Sequence, residues 1–264
     1  MISPIEIHWT WIDSPPMLPT AYAAERPSDE REKLIIALDV ESAGEAQSLV
    51  RELNPYVGAF KIGLQLFTAE GPGFVRKLVD EGARIFLDLK FHDIPNTVSK
   101  AAVEAARLGV WMFNVHASGG SEMMRAAYGE MANACERESI EKPKMTAVTV
   151  LTSSSLDTLR ETGVTDSPEN QVLRLSKLTA ECGLDGVVAS PREIAAIRSG
   201  IDSTDFLIVT PGIRPVFATN DDQKRVMTPG EALREGASHL VIGRPVTAAN
   251  DRVEAVRKII EEIT

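Results

Sequence analysis

The chain reads as an α/β protein whose βα units close into a (β/α)8 barrel, a single domain behind an N-terminal extension. Three observations predict this. From Leu34 onward, eight short apolar runs alternate with amphipathic stretches, the pattern of parallel strands buried on both faces by helices. Gly82, Gly109, Gly183 and Gly236 each follow a helical stretch and precede an apolar run, where a left-handed residue ends a helix at little cost. Residues 34–264 divide into about 29 positions per unit, within the range of a TIM barrel of ~250 residues.

The strands are predicted, in order, at Leu34–Val40, Ala59–Gly63, Arg84–Lys90, Trp111–His116, Met145–Leu151, Gly186–Ala189, Phe206–Thr210 and His239–Gly243. Each run is too short for a stable helix, and most are rich in Val, Ile or Phe. A doubly wound open sheet is the competing arrangement. It ordinarily carries a GxGxxG turn after its first strand, and Asp39-Val-Glu-Ser-Ala-Gly44 has none. Residues 1–33 contrast with the rest: Pro4, Pro15, Pro16, Pro19 and Pro27 interrupt every candidate element. They are expected to form a poorly ordered extension outside the 34–264 barrel, and Met17 offers an alternative translation start.

Bulk composition excludes several classes. A net charge of -10 over 264 residues argues against a surface built for nucleic acid or anionic membrane. No apolar run of about eighteen residues is present, so no membrane span is expected. The first thirty residues lack the basic and apolar regions of a secretory signal. Only Cys135 and Cys182 occur, in no metal-binding spacing, which predicts neither disulfide nor zinc and points to a reducing cytoplasm.

A barrel of this kind carries its chemistry at the C-terminal ends of the strands. There the first predicted strand ends in Asp39, the second in Lys61, and the third in Asp88 and Lys90, with His92 and Asp93 just beyond. Alternation along a strand puts Asp88 and Lys90 on one face and Leu89 on the other. An inward acid and base need a reason, because a buried ion pair gains little stability over apolar filling. Gly243-Arg244 after the last strand and Pro211 to Arg214 after the seventh occupy the two positions where barrels commonly bind phosphate. The polar segment between Pro215 and Met227 is longer than an ordinary βα connection and is expected to be a lid. No P-loop, dinucleotide fingerprint or metal-ligand spacing is present, so neither cofactor nor metal is expected.

The string Asp88-x-Lys90-x-x-Asp93-Ile94-Pro95-Asn96-Thr97 resembles the signature of the orotidine 5'-phosphate decarboxylase family. The likeness extends over residues 34–247, through Asp39, Lys61, Leu151-Thr152-Ser153, Pro211-Gly212-Ile213-Arg214-Pro215, Gln223 and Ile242-Gly243-Arg244-Pro245. DxKxxD alone also occurs in magnesium-dependent relatives acting on sugar phosphates; the continuation through IPNT separates the two groups. The resemblance implies cofactor-free conversion of orotidine 5'-phosphate (OMP) to uridine 5'-phosphate (UMP) and CO2 in pyrimidine biosynthesis.

It further implies a role for each residue. Lys90 would stabilise and protonate the C6 carbanion, flanked by Asp88 and Asp93, with Lys61 supporting Asp88. Asp39 and Lys61 would hold the ribose hydroxyls and Thr152 the pyrimidine edge. Pro211, Gly243, Arg244 and, from the lid, Gln223 would surround the phosphate, with Arg214 holding the closed form. Asp93 and Thr97 would reach the neighbouring subunit's substrate, making a homodimer with shared sites. On local grounds alone, Asp93 also reads as a helix cap, and His92 as a structural ring near the strand-3 loop.

Overall fold

The computed structural model describes residues 29–218 and 227–264 of the chain. A helical turn, Asp29–Glu32, leads into eight strands: β1 (Leu34–Ala37), β2 (Ala59–Gly63), β3 (Ile85–Phe91), β4 (Met112–His116), β5 (Lys144–Val148), β6 (Gly186–Val188), β7 (Leu207–Pro211) and β8 (His239–Ile242). Each pairs in parallel with the next, and β8 returns to β1 through Leu34 opposite Leu240, so the sheet is a closed barrel with no edge. The expected eight-unit order therefore holds. Helices such as Ala43–Leu53, Pro95–Arg107, Gly120–Glu138, Pro168–Glu181 and Arg252–Ile263 form the outer layer.

Alternation along the strands makes two cores. Leu34, Ile36, Phe60, Ile62, Leu87 and Phe113 point outward and pack beneath the helices. Ile35, Ala37, Ala59, Phe86, Met112, Val209 and Val241 point inward and fill the barrel. Lys61 lies two residues beyond Ala59 and Asp88 two beyond Phe86, so both continue the inward-facing rows into the upper end of the barrel. The helix-ending glycines behave as their placement predicts: Gly109 and Gly236 turn the chain into β4 and β8 with φ of 75° and 109°.

Most strand boundaries fall within one residue of expectation, and two strand ends fall three residues short. β1 stops at Ala37 and β5 at Val148, so Asp39, Leu151 and Thr152 sit in loops above the barrel. There the ladder continues only as single bonds, Leu38 N–H to Lys61 C=O and Thr149 N–H to Val188 C=O. β3, by contrast, runs on to Phe91. The end of the 1–33 segment belongs to the packed structure: the Glu32 backbone lies so close to Gly58 that a Cβ there would stand 2.4 Å from the Glu32 carbonyl oxygen. Residues 1–28 lie outside the described residues. Among the described residues no helix is long and apolar enough to cross a membrane.

At the opposite end of the barrel from the charged residues, the Arg84 guanidinium lies 4.4 Å from the centre of the Trp111 ring, and the His239 ring meets that indole edge-on at 5.2 Å. Burial, and then the Arg84 charge, pushes the His239 imidazole down to about 4. Unfolding restores a value near 6.5, so between these values the unfolded chain binds the extra proton and stability falls as pH falls. Going from pH 7 to pH 5 is expected to remove about 2 kcal/mol of stability through this group. Urea titrations at the two pH values should show that loss in the parent and a shallower pH dependence in His239→Leu; equal dependence would remove His239 as the cause.

Candidate active site

Asp88 is the hub of the charged residues. The Lys90 ammonium is 2.6 Å from its Oδ1, and the Lys61 ammonium is 3.4 Å from its Oδ2. Lys61 Nζ also lies 3.1 Å from Asp39 Oδ1, which extends the array across β1, β2 and β3. The side chains of Lys61 and Asp88 are only 12% and 13% exposed, whereas Asp39 is open to solvent at 65%. Burial raises the Asp88 carboxyl, but Lys61, Lys90 and the hydrogen bonds from Lys90 and Asn114 outweigh it and hold the group below the ordinary carboxylate value. Asp88 is thus ionised at neutral pH.

Asn114 is a participant that sequence reading missed. It is fully buried on β4, accepts a hydrogen bond from the Lys90 backbone N–H at 2.8 Å, and donates from Nδ2 to Asp88 Oδ1 at 2.7 Å. The signal was present: a polar residue two positions beyond inward-facing Met112 must itself face inward. Lys90 adopts a left-handed backbone with φ of 56°, unusual for a residue other than glycine.

Asp93 stands apart from this array. It is exposed, and its carboxylate accepts a hydrogen bond from the Ile94 N–H at 2.6 Å. The capping expectation needs correction: the helix Pro95–Arg107 starts from Ile94 with no side-chain cap, and Pro95 occupies the first turn, where its missing N–H costs nothing. Thr97, in the same turn, is exposed. His92 is exposed and packs against the His116 ring, with centroids 5.5 Å apart. Burial first, then the charges of His92 and Lys90, pushes the His116 imidazole below its usual value, with Asp88 opposing.

A cavity of about 370 Å³ opens beside the array. Asp39, Lys61, Asp88 and Lys90 line it together with Thr152, Pro211, Arg214, Gly243 and Arg244. Tertiary structure therefore brings together nearly every residue singled out in the sequence, from six different strand ends. Arg244 is exposed and among the described residues pairs with no carboxylate, which leaves its guanidinium available to an anion. Gly212 turns with φ of 82°, and the Arg214 N–H donates to the Met227 carbonyl at 3.2 Å, which closes the base of the expected lid. Gln223 lies outside the described residues.

Comparison with known proteins agrees with this geometry. The sequence profile described as "Orotidine 5'-phosphate decarboxylase / HUMPS family" matches residues 32–259. Relatives named orotidine 5'-phosphate decarboxylase include that of Syntrophotalea carbinolica, 54% identical over 235 residues, covering 89% of this chain and 96% of the relative. That of Moorella thermoacetica is 53% identical over 234 residues, covering 88% and 92%. The crystal structure of orotidine 5'-phosphate decarboxylase from Lactobacillus acidophilus superposes with a TM-score of 0.78 at 39% identity, covering 88% of this chain and 98% of that one. Matched over nearly all of its barrel, the chain belongs to the orotidine 5'-phosphate decarboxylase / HUMPS family.

Proposed function

We propose that this protein decarboxylates OMP to UMP and CO2 in pyrimidine biosynthesis without a cofactor, and that Lys90 stabilises and protonates the carbanion formed at C6. The observation that carries the reading is the placement of the Lys90 ammonium, bonded to an ionised Asp88, in the lining of a cavity that Arg244 also lines. The names of the relatives point the same way. Family membership alone leaves open a metal-dependent sugar-phosphate reaction on the same barrel. Against it, the Lys61 ammonium already stands between Asp39 and Asp88, where a divalent cation would otherwise offset their charge.

Breaking the C6–CO2 bond leaves an electron pair in the plane of the pyrimidine, where the ring π system cannot delocalise it. Stabilisation has to come from a charge already in place as the pair develops. Lys90 supplies that charge and then the proton, ending neutral as C6–H forms. Asp88 holds the ammonium in place by their 2.6 Å contact, and its own charge, set against the substrate carboxylate, is relieved of repulsion as CO2 departs. Asp39 and Lys61 are assigned to the ribose hydroxyls and Thr152 to the pyrimidine edge. Pro211, Gly243, Arg244 and Gln223 are assigned to the phosphate, with Arg214 holding the lid closed. Phosphate binding far from C6 then contributes to closure and to the transition state.

Asp93 and Thr97 are assigned to a partner subunit's site in a homodimer. In support, both are exposed, Asp93 makes no ion pair among the described residues, and the intervening Ile94 side chain is 64% exposed. Residues 34–264 are the catalytic domain, against which the turn Asp29–Glu32 packs. The free, buried thiols of Cys135 and Cys182 suit a reducing cytoplasm.

Two outcomes are expected. The fall in OMP absorbance should proceed equally with and without a strong chelator, and a folded Lys90→Ala variant should lose roughly 10⁴-fold or more in kcat. Near-normal turnover by that variant, or activity that vanishes on chelation, would sink the assignment. Dimers assembled from Lys90→Ala and Asp93→Ala subunits should regain part of the activity that each homodimer lacks, because one of their two sites is then intact. No recovery in isolated mixed dimers would rule out the shared site.

A further inference from the structure

The pairing of β3 with β4 contains an irregularity at the active site. Leu87 lies opposite Phe113 and Phe91 opposite Val115, so three residues, Asp88 to Lys90, span the place where β4 offers one, Asn114. A regular ladder cannot pair all of their backbone groups. Lys90 leaves that ladder in a left-handed conformation, which is strained for a lysine and persists only where neighbours over-determine it. Its freed N–H is taken up by the Asn114 side chain.

The orientation of that amide is dictated by its surroundings. A backbone N–H only donates and an ionised carboxylate only accepts, so the carbonyl must face Lys90 and the NH2 must face Asp88, as observed at 2.8 Å and 2.7 Å. Reversal would set donor against donor and acceptor against acceptor. Because Asn114 is fully buried, neither contact can be replaced by bulk water. One amide therefore holds both the carboxylate and the chain segment bearing the ammonium that the carboxylate binds.

We infer that Asn114 is a positioning residue for the decarboxylation. It pins the bulge in β3, and so fixes where the Lys90 ammonium and the Asp88 carboxylate stand relative to each other and to the substrate cavity. The inference rests on the function proposed above and extends it to a residue with no contact of its own to the substrate.

The test compares the full-length parent with Asn114→Ala and Asn114→Asp. The alanine variant removes both contacts. The aspartate variant, of nearly equal volume, keeps an acceptor for the Lys90 N–H but opposes Asp88 with a second carboxylate. Each folded variant is expected to lose roughly 100-fold in kcat with KM within about threefold of the parent, the signature of misplaced reacting groups rather than lost substrate binding. Crystal structures should show residue 90 leaving the left-handed region in Asn114→Ala. In Asn114→Asp it should stay there while the Asp88 carboxylate turns away.

A merely structural amide would lower the unfolding midpoint and leave kcat per folded molecule unchanged. That result, or a Lys90 backbone that does not move in the alanine variant, would overturn the inference; so would failure of both variants to fold, which would make Asn114 a residue of the fold. If the parent itself does not decarboxylate OMP, the functional proposal fails instead. The crystallographic arm still decides whether Asn114 sets the Lys90 geometry.

Discussion

A carboxylate buried near the top of a barrel has to be compensated, and in this protein the compensation of Asp88 organises the whole site. Lys61 from β2, Lys90 from β3 itself and Asn114 from β4 converge on its two oxygens. Two of these partners are committed elsewhere as well: Lys61 to Asp39, and Asn114 to the Lys90 backbone. Uncompensated, a charge so deeply buried would cost several kcal/mol or take up a proton. Compensated, it stays ionised and becomes a fixed source of field at the edge of the cavity.

The barrel makes this convergence affordable by separating two tasks. Its interior is filled by Ile35, Ala37, Ala59, Phe86, Met112, Val209 and Val241, and its outer faces pack under helices, so cohesion does not depend on the charged end. The inward-facing rows that supply Ala59 and Phe86 to the core supply Lys61 and Asp88 one step higher. Rigid apolar packing below holds the polar groups above, and little rearrangement is left for the moment of reaction. The lysine and aspartate that face the cavity are thus placed by strands, while the residues assigned to phosphate and base, such as Arg244 and Thr152, come from the loops that follow them.

The sequence by itself determined the number, order and type of the strands, because the period of apolar residues and the helix-ending glycines are local properties. It also determined most of the site. In a barrel, residues at the ends of strands are bound to meet, so the strand-end positions of Asp39, Lys61, Asp88, Lys90, Pro211, Arg214, Gly243 and Arg244 already group them around one cavity. Only the tertiary structure decided three things. The left-handed backbone at Lys90 and the bulge beneath it arise from the pairing of β3 with β4, and pairing register is not a property of either strand alone. The role of Asn114 follows from that register, since nothing within its own strand says which groups it meets. Finally, the expected cap at Asp93 gave way to a helix whose N-cap is Ile94, with Pro95 in its first turn, leaving Asp93 exposed. Local propensity names the residues that can cap or pair, and long-range geometry chooses among them.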